Sequence, residues 1–252
     1  MKSRSLVDAW AAGRSTIGAA CKVPSALVAE CVASAGFDYV YVDQQHAVFD
    51  DVELLTLFQA IASAGAVPVT RVAANRASLI HKSLDFGAAG VIVPLVETAA
   101  DAARALAACR YPPDGNRSYG VLRPGVVRND GSAMTHTPAC IVLVESTEGI
   151  ENLDAIARTG VDAIMVGPHD LALSLGLHAH TGPEDLRLKM AIDQVLTACL
   201  KHGNVAGIGA TSGREAGDWL GRGFRMVNVG ADLNYVRDAL AIELRNARVA
   251  MS

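Results

Sequence analysis

Eight short apolar runs recur along the chain, and nearly every one is followed by a segment whose apolar residues fall at helical spacing. The runs are Thr16–Ala20, Tyr39–Val42, Val67–Thr70, Gly90–Val93, Ile141–Val144, Ala163–Val166, Val205–Ile208 and Phe224–Val229. They are continuous rather than alternating, as strands of a parallel sheet covered by helices should be. Between them, Ser25 opens an Ala- and Val-rich helix that closes at Gly36, and Asp50 with Glu53 forms a capping-box pattern ahead of Leu54, Leu57, Phe58 and Ile61. Eight strand–helix units in 252 residues predict a (β/α)8 barrel. A doubly wound open sheet is the competitor, but it seldom needs eight units in a chain of this length. No linker or second domain is visible, so residues 1–252 are expected to form one barrel. The one long irregular stretch is Tyr111–Thr137, dense in Gly, Pro, Asn and Arg, and a loop of that length in a compact domain is usually functional.

The balance of residue types narrows the function classes. With 51% hydrophobic and 19% charged residues a large core is affordable. A net charge of −4 argues against nucleic acid or an anionic membrane as the main partner. No apolar run approaches membrane-spanning length, and Asp8 and Arg14 interrupt the only apolar patch near the start, Leu6–Ala12, so a soluble, cytoplasmic protein is expected. The five cysteines are scattered without a CxxC pair, and four lie in predicted helices or strands, which fits buried, reduced thiols.

In a barrel of this kind the chemistry sits at the carboxyl ends of the strands. Those ends carry Asp43 and His46, Arg71, Glu145 and Asp170. Singly, each could be a helix cap or a rim ion pair; five on one rim point to a site. Glu145 and Asp170 follow neighbouring strands, and two converging carboxylates either repel or share a divalent cation. With water and substrate oxygens completing the shell, magnesium or manganese is the natural choice, and cobalt or zinc is acceptable. His169 is a third-ligand candidate, with its backbone N–H facing the substrate as the plainer alternative. His46 is the acid–base candidate, oriented by Asp43 or Asp85. Arg71 suits a carboxylate or a developing enolate oxygen, with an ion pair to Asp43 or Glu145 as its structural alternative. Arg117 and Arg123 in the long loop are read as solvated rather than as holders of a distal acidic group. The glycines around Gly207–Gly209 and Gly230 are read as steric rather than phosphate-binding. Lys22, Lys82, Lys189 and Lys201 do not map to a strand end facing the site, which counts against Schiff-base chemistry.

The segments YVYVDQQHA, PVTR, GAAGVIVPLVETAADAARAL, CRYPPDGNRSYG, LVESTEGIENLDAI and VDAIMVGPHDLALSLG resemble the metal-dependent, class II pyruvate aldolases, a family that includes 4-hydroxy-2-oxoheptanedioate and 2-dehydro-3-deoxyglucarate aldolases. The similarity runs from about Ile17 to the last helix. It implies that Glu145 and Asp170 bind the divalent metal, that Arg71 steadies the enolate oxygen and that His46 is the catalytic histidine, paired with Asp85. The turn Gly167-Pro168-His169 would hold the substrate carboxylate through backbone N–H groups. A homohexamer is also implied, with the last helix packed on a neighbouring barrel. Two positions depart from the family pattern. Gln45 stands where many members carry Glu, and Leu143 where some carry Gln, which alters the polar shell around the substrate. The resulting expectation is an aldolase that cleaves 4-hydroxy-2-oxo acids to pyruvate, or hydroxypyruvate, and an aldehyde. A malyl- or citryl-CoA lyase on a similar barrel and a non-catalytic oxo-acid or metal-binding protein are the rivals.

Overall fold

The computed structural model describes residues 5–120, 122 and 137–249. Eight parallel strands pair in chain order, and the last closes onto the first. They are β1 (Thr16–Cys21), β2 (Tyr39–Asp43), β3 (Val67–Arg71), β4 (Gly90–Val93), β5 (Ala139–Val144), β6 (Ala163–Val166), β7 (Val205–Ala210) and β8 (Met226–Ala231). The expected (β/α)8 barrel is therefore the fold. Helix α1 (Leu6–Ala11) precedes β1, and α2 (Ala26–Ser34), α3 (Asp51–Ser63), α4 (Ala77–Asp85) and α5 (Ala99–Cys109) follow the first four strands. The connection from β5 to β6 is two short helices, α6 (Thr147–Glu151) and α7 (Leu153–Ala157), rather than one. After β6 come α8 (Pro168–Ser174) and α9 (Leu186–His202), and α10 (Gly213–Arg222) and α11 (Asp232–Val249) complete the chain. The capping box at the start of α3 is formed, with Asp50 accepting from the Glu53 N–H and Glu53 accepting from the Asp50 N–H.

Successive strand residues point to opposite sides of the sheet, and the packing separates the two sets. Tyr39 and Tyr41, Val67 and Val69, Ile141 and Leu143, Ala163 and Met165, together with Ala20, Ile92 and Met226, belong to one cluster that includes no helix residue except Leu6 and Trp10 of α1. That set fills the barrel, with α1 closing one end. The intervening residues, among them Val40, Val42, Val91, Val142 and Ile164, pack instead against the surrounding helices. Cys21, Cys109, Cys140 and Cys199 are buried free thiols, whereas Cys31, although it lies in a helix as expected, is exposed. No helix among the described residues is long and apolar enough to cross a membrane.

The strand boundaries differ from expectation in six strands. β1, β2 and β3 each run one residue further, to Cys21, Asp43 and Arg71, β5 starts two earlier, at Ala139, β7 runs two further, to Ala210, and β8 both starts and ends two later. The change at β1 matters most. It places Lys22 directly at the carboxyl end of a strand, where the sequence reading had not put it.

Candidate active site

The inward alternation continues past the strand ends and selects the polar residues. Two residues beyond Ala20 lies Lys22; beyond Tyr41, Asp43; beyond Val69, Arg71; beyond Leu143, Glu145; beyond Met165, Gly167. All sit at one end of the barrel, where the apolar interior gives way to charge.

Asp43 organises one half of this rim. Its side chain is 0% exposed, which by itself penalises a charge. Five donors offset that cost. The Arg71 guanidinium grips it with Nε at 2.9 Å from Oδ1 and Nη2 at 2.6 Å from Oδ2. The backbone N–H groups of Gln45 and His46 donate to Oδ1 at 3.2 and 3.3 Å, and Lys22 Nζ lies 3.2 Å from Oδ2. Burial pushes the Asp43 carboxyl up, but the bidentate bond and the charges of Arg71 and Lys22 outweigh it and hold the group below the ordinary carboxylate range. Arg71 is thus fixed, with its guanidinium carbon 5.9 Å from the centre of the Tyr41 ring. The same carboxylate orients the turn that carries His46 through that residue's main chain rather than its ring.

Glu145 organises the other half. Its side chain is buried, and Oε1 accepts the Leu95 N–H at 3.0 Å. Leu95 sits at φ 53°, in the left-handed region that a branched apolar residue rarely occupies. Such a backbone conformation persists only where its surroundings over-determine it, and here it aims an N–H at the carboxylate. Gly167 makes room on the other side, since a Cβ there would lie 2.5 Å from Glu145 Oε2. Burial first, and then the charge of Asp170, push the Glu145 carboxyl up to about 7, although the Leu95 N–H and Arg71 pull the other way. A buried carboxyl group beside a second carboxylate forms a site that a divalent cation would relieve, so the donor set fits one. Asp170 lies in the first turn of α8 and is exposed, open to water and substrate. Among the described residues no cluster of three or more His, Cys, Asp or Glu side chains could hold a metal, so within that set Glu145 and Asp170 are the carboxylates on offer.

The other expected residues fall into place unevenly. His46 is exposed on the same rim. Gln45 is half-buried, and its Oε1 is shut off from solvent without a hydrogen-bond partner, an acceptor waiting for a donor. Asp85 ends α4, where its Oδ1 accepts from Arg117 Nη2 at 2.8 Å, and among the described residues no hydrogen bond or ion pair joins it to His46. Arg117 itself corrects an expectation. It is not solvated but fully buried, with its guanidinium carbon 4.8 Å from the centre of the Tyr111 ring. Arg123 lies outside the described residues. Of the turn Gly167-Pro168-His169, the Gly167 N–H is committed to the Val144 carbonyl at 3.4 Å and Pro168 has none to give, which leaves His169 as the donor. Lys22 is the residue the sequence reading missed. The alternation Gly18, Ala20, Lys22 was the signal available for it.

A family model described as HpcH/HpaI aldolase/citrate lyase matches residues 22–239. A 5-keto-4-deoxy-D-glucarate aldolase of Klebsiella pneumoniae is 36% identical over 237 residues, covering 92% of this chain and 91% of that protein. An enzyme of the same name from Salmonella newport is 36% identical over 234 residues, 91% of each chain. Among solved structures, an HpcH/HpaI aldolase/citrate lyase family protein from Burkholderia cenocepacia superposes with a TM-score of 0.87 at 31% identity, over 98% of this chain and 100% of that one. Macrophomate synthase superposes with a TM-score of 0.86 at 27% identity, over 98% and 90% of the two chains. A citrate lyase from Burkholderia xenovorans shares the fold alone, at 15% identity and a TM-score of 0.61, over 85% and 72%.

Proposed function

The chain belongs to the HpcH/HpaI aldolase/citrate lyase family, and on that premise we propose that it is a divalent-metal-dependent aldolase cleaving 4-hydroxy-2-oxo acids to pyruvate, or hydroxypyruvate, and an aldehyde. The observation that carries the reading is the convergence of the Glu145–Asp170 pair and the Asp43-fixed Arg71 on one rim. The deoxy-keto sugar diacid in the relatives' name is a substrate of this class.

Glu145 and Asp170 are the residues that would hold the cation, with magnesium or manganese favoured because both ligands are hard carboxylates and water must complete the shell. Bound there, a divalent ion supplies Lewis-acid polarisation of the 2-oxo group. The chain's own residues do the rest. Arg71, unable to swing away from Asp43, donates to the oxygen on which enolate charge develops. His46 takes the 4-hydroxyl proton as the C3–C4 bond breaks, the bond's electron pair passing into the enolate and C4 leaving as the aldehyde; C3 of the enolate then takes up a proton to give the oxo acid, and in synthesis His46 returns its proton to the 4-oxygen. The unpaired Gln45 Oε1 accepts from a substrate hydroxyl, and the His169 N–H holds the carboxylate of the oxo acid.

Removal of metal by excess chelator is expected to abolish pyruvate release from a 4-hydroxy-2-oxo acid, and magnesium or manganese to restore it. Undiminished turnover in chelator would remove the metal from the reaction, and no pyruvate release from any such acid would leave a binding protein instead. His46→Ala is expected to lower kcat by about 10²-fold or more, the usual scale for a general acid–base group; a normal rate would return His46 to a structural role.

The protein is further proposed to be a hexamer built through α11. That 18-residue helix leaves Leu233, Val236, Leu240 and Leu244 exposed, and only Asp232 on it is buried. An apolar helix face of this length is ordinarily covered by a partner. Light scattering should give six times the 26.3 kDa chain mass, and a monomeric mass at micromolar concentration would refute the assembly.

A further inference from the structure

Lys22 stands on the rim with a fixed base and a partly satisfied head. Its N–H donates to Asp232 Oδ1 and Oδ2 at 3.1 and 2.9 Å, and the Val23 N–H donates to Oδ2 at 2.9 Å, so the buried Asp232 carboxylate locks the main chain from which the side chain swings. That carboxylate faces the amides of Lys22, Val23 and Leu233; among the described residues no ion pair joins it to Nζ. The ammonium instead meets Asp43 Oδ2 at 3.2 Å, on a carboxylate already claimed at 2.9 and 2.6 Å by Arg71. One negative charge is shared by two cations, and Lys22 has the longer contact. Its side chain is also the more open, 30% exposed against 13% for Arg71.

Its position gives that charge a direction. Around the rim the charged groups run Glu145 after β5, Arg71 at the end of β3, Asp43 at the end of β2 and Lys22 after β1. A 4-hydroxy-2-oxo acid with its oxo acid end at Glu145 and Arg71, and its 4-hydroxyl at His46, extends its remaining carbons toward β1. A small residue leaves room there, since Ala20 is the inward-facing residue of β1 beneath Lys22. We propose that the Lys22 ammonium binds a terminal carboxylate on the aldehyde-derived half of the substrate and so selects anionic over neutral acceptors. A single ammonium matches the single charge of a carboxylate, whereas a phosphate dianion calls for a second cation or a nest of amides. The assignment rests on the aldolase reading above and names what that reading leaves open, the chemistry of the acceptor.

The test uses the full chain with Mg and pyruvate, and two acceptors of one carbon skeleton: 2-hydroxy-3-oxopropanoate, which ends in a carboxylate, and glyceraldehyde, which ends in a hydroxymethyl group. The quantity read is the ratio of kcat/KM, anionic over neutral. Lys22→Met is expected to lower that ratio at least tenfold, chiefly through KM for the anionic aldehyde, and Lys22→Arg to hold it within a few-fold. A Lys22→Met variant that loses equally on both acceptors, or on neither, overturns the proposal, because a lysine that merely props Asp43 and Arg71 acts on the donor half common to both. Exchange of the pyruvate methyl protons with deuterium, followed by NMR without any aldehyde, reports that donor half alone. Wild-type protein that exchanges pyruvate while the variant leaves the ratio unmoved sinks the Lys22 assignment only. Wild-type protein that neither exchanges pyruvate nor joins it to either aldehyde sinks the aldolase reading itself.

Discussion

Glu145→Gln is expected to reduce aldol turnover by about 10³-fold or more, the consequence of losing several kcal/mol of transition-state charge stabilisation, while making the metal-free protein more stable above neutral pH. The two effects share a cause. Burial and the neighbouring Asp170 raise the Glu145 carboxyl to about 7 in the folded chain, against roughly 4.3 when unfolded. An acid whose proton affinity rises on folding is tolerated at low pH, where both states hold the proton. As pH climbs from about 4 to about 7 the unfolded chain releases its proton first, and the native state loses up to roughly 4 kcal/mol relative to it. Glutamine keeps the carbonyl that accepts the Leu95 N–H, and it carries no charge at any pH. Thermal unfolding of metal-free protein should therefore show variant and wild type close at pH 4.5 and the variant ahead at pH 8. Magnesium or manganese should then raise the Tm of wild type and leave that of the variant in place. Equal stability at both pH values, or a metal-induced rise in the variant, would disconnect Glu145 from cation binding.

What could be read from the sequence follows from how local the responsible physics is. The barrel was legible because each apolar run must be buried on both faces, and eight such runs in one short chain admit few architectures. Asp43, Arg71 and Glu145 were legible for the same reason, as polar residues where a buried strand stops. Lys22 was not, because β1 ends in Cys21, an apolar residue one position later than the expected boundary, and strand ends are the least certain part of any such reading. Arg117 looked like part of a polar loop, and its burial depends on Asp85 and Tyr111, which come from α4 and from the loop's own first residue. Nothing in the spacing announces that pairing. The left-handed Leu95 was equally hidden, since leucine carries no signal for that conformation. Gly167 was visible as part of a turn. The need for glycine there came only from the approach of Glu145 Oε2.

Asp43→Asn should uncouple the other half of the rim and cost the protein both stability and rate. The carboxylate is fully buried beneath Arg71, which is itself 13% exposed. Removing one partner of a buried pair strands the other charge, at a cost of roughly 3–5 kcal/mol; the partial exposure of Lys22 and Arg71 brings the expected loss toward the lower end. Arg71, no longer gripped at two points, can no longer meet the enolate oxygen in a fixed pose, and kcat is expected to fall by roughly 10²-fold or more. Asp43 is held below the usual carboxylate range, so its contribution to stability is complete above the unfolded value of about 3.9 and fades as pH falls through the lower native value. The double variant Asp43→Asn, Arg71→Met separates the two roles. Without a stranded guanidinium it should recover much of the lost stability, while activity stays at the level of the single variant or below. A single variant as stable as wild type at pH 7 would mean that Lys22 and the two backbone amides hold the turn without the Asp43 charge. A double variant that regained activity together with stability would remove Arg71 from the chemistry and reduce the pair to a structural clamp.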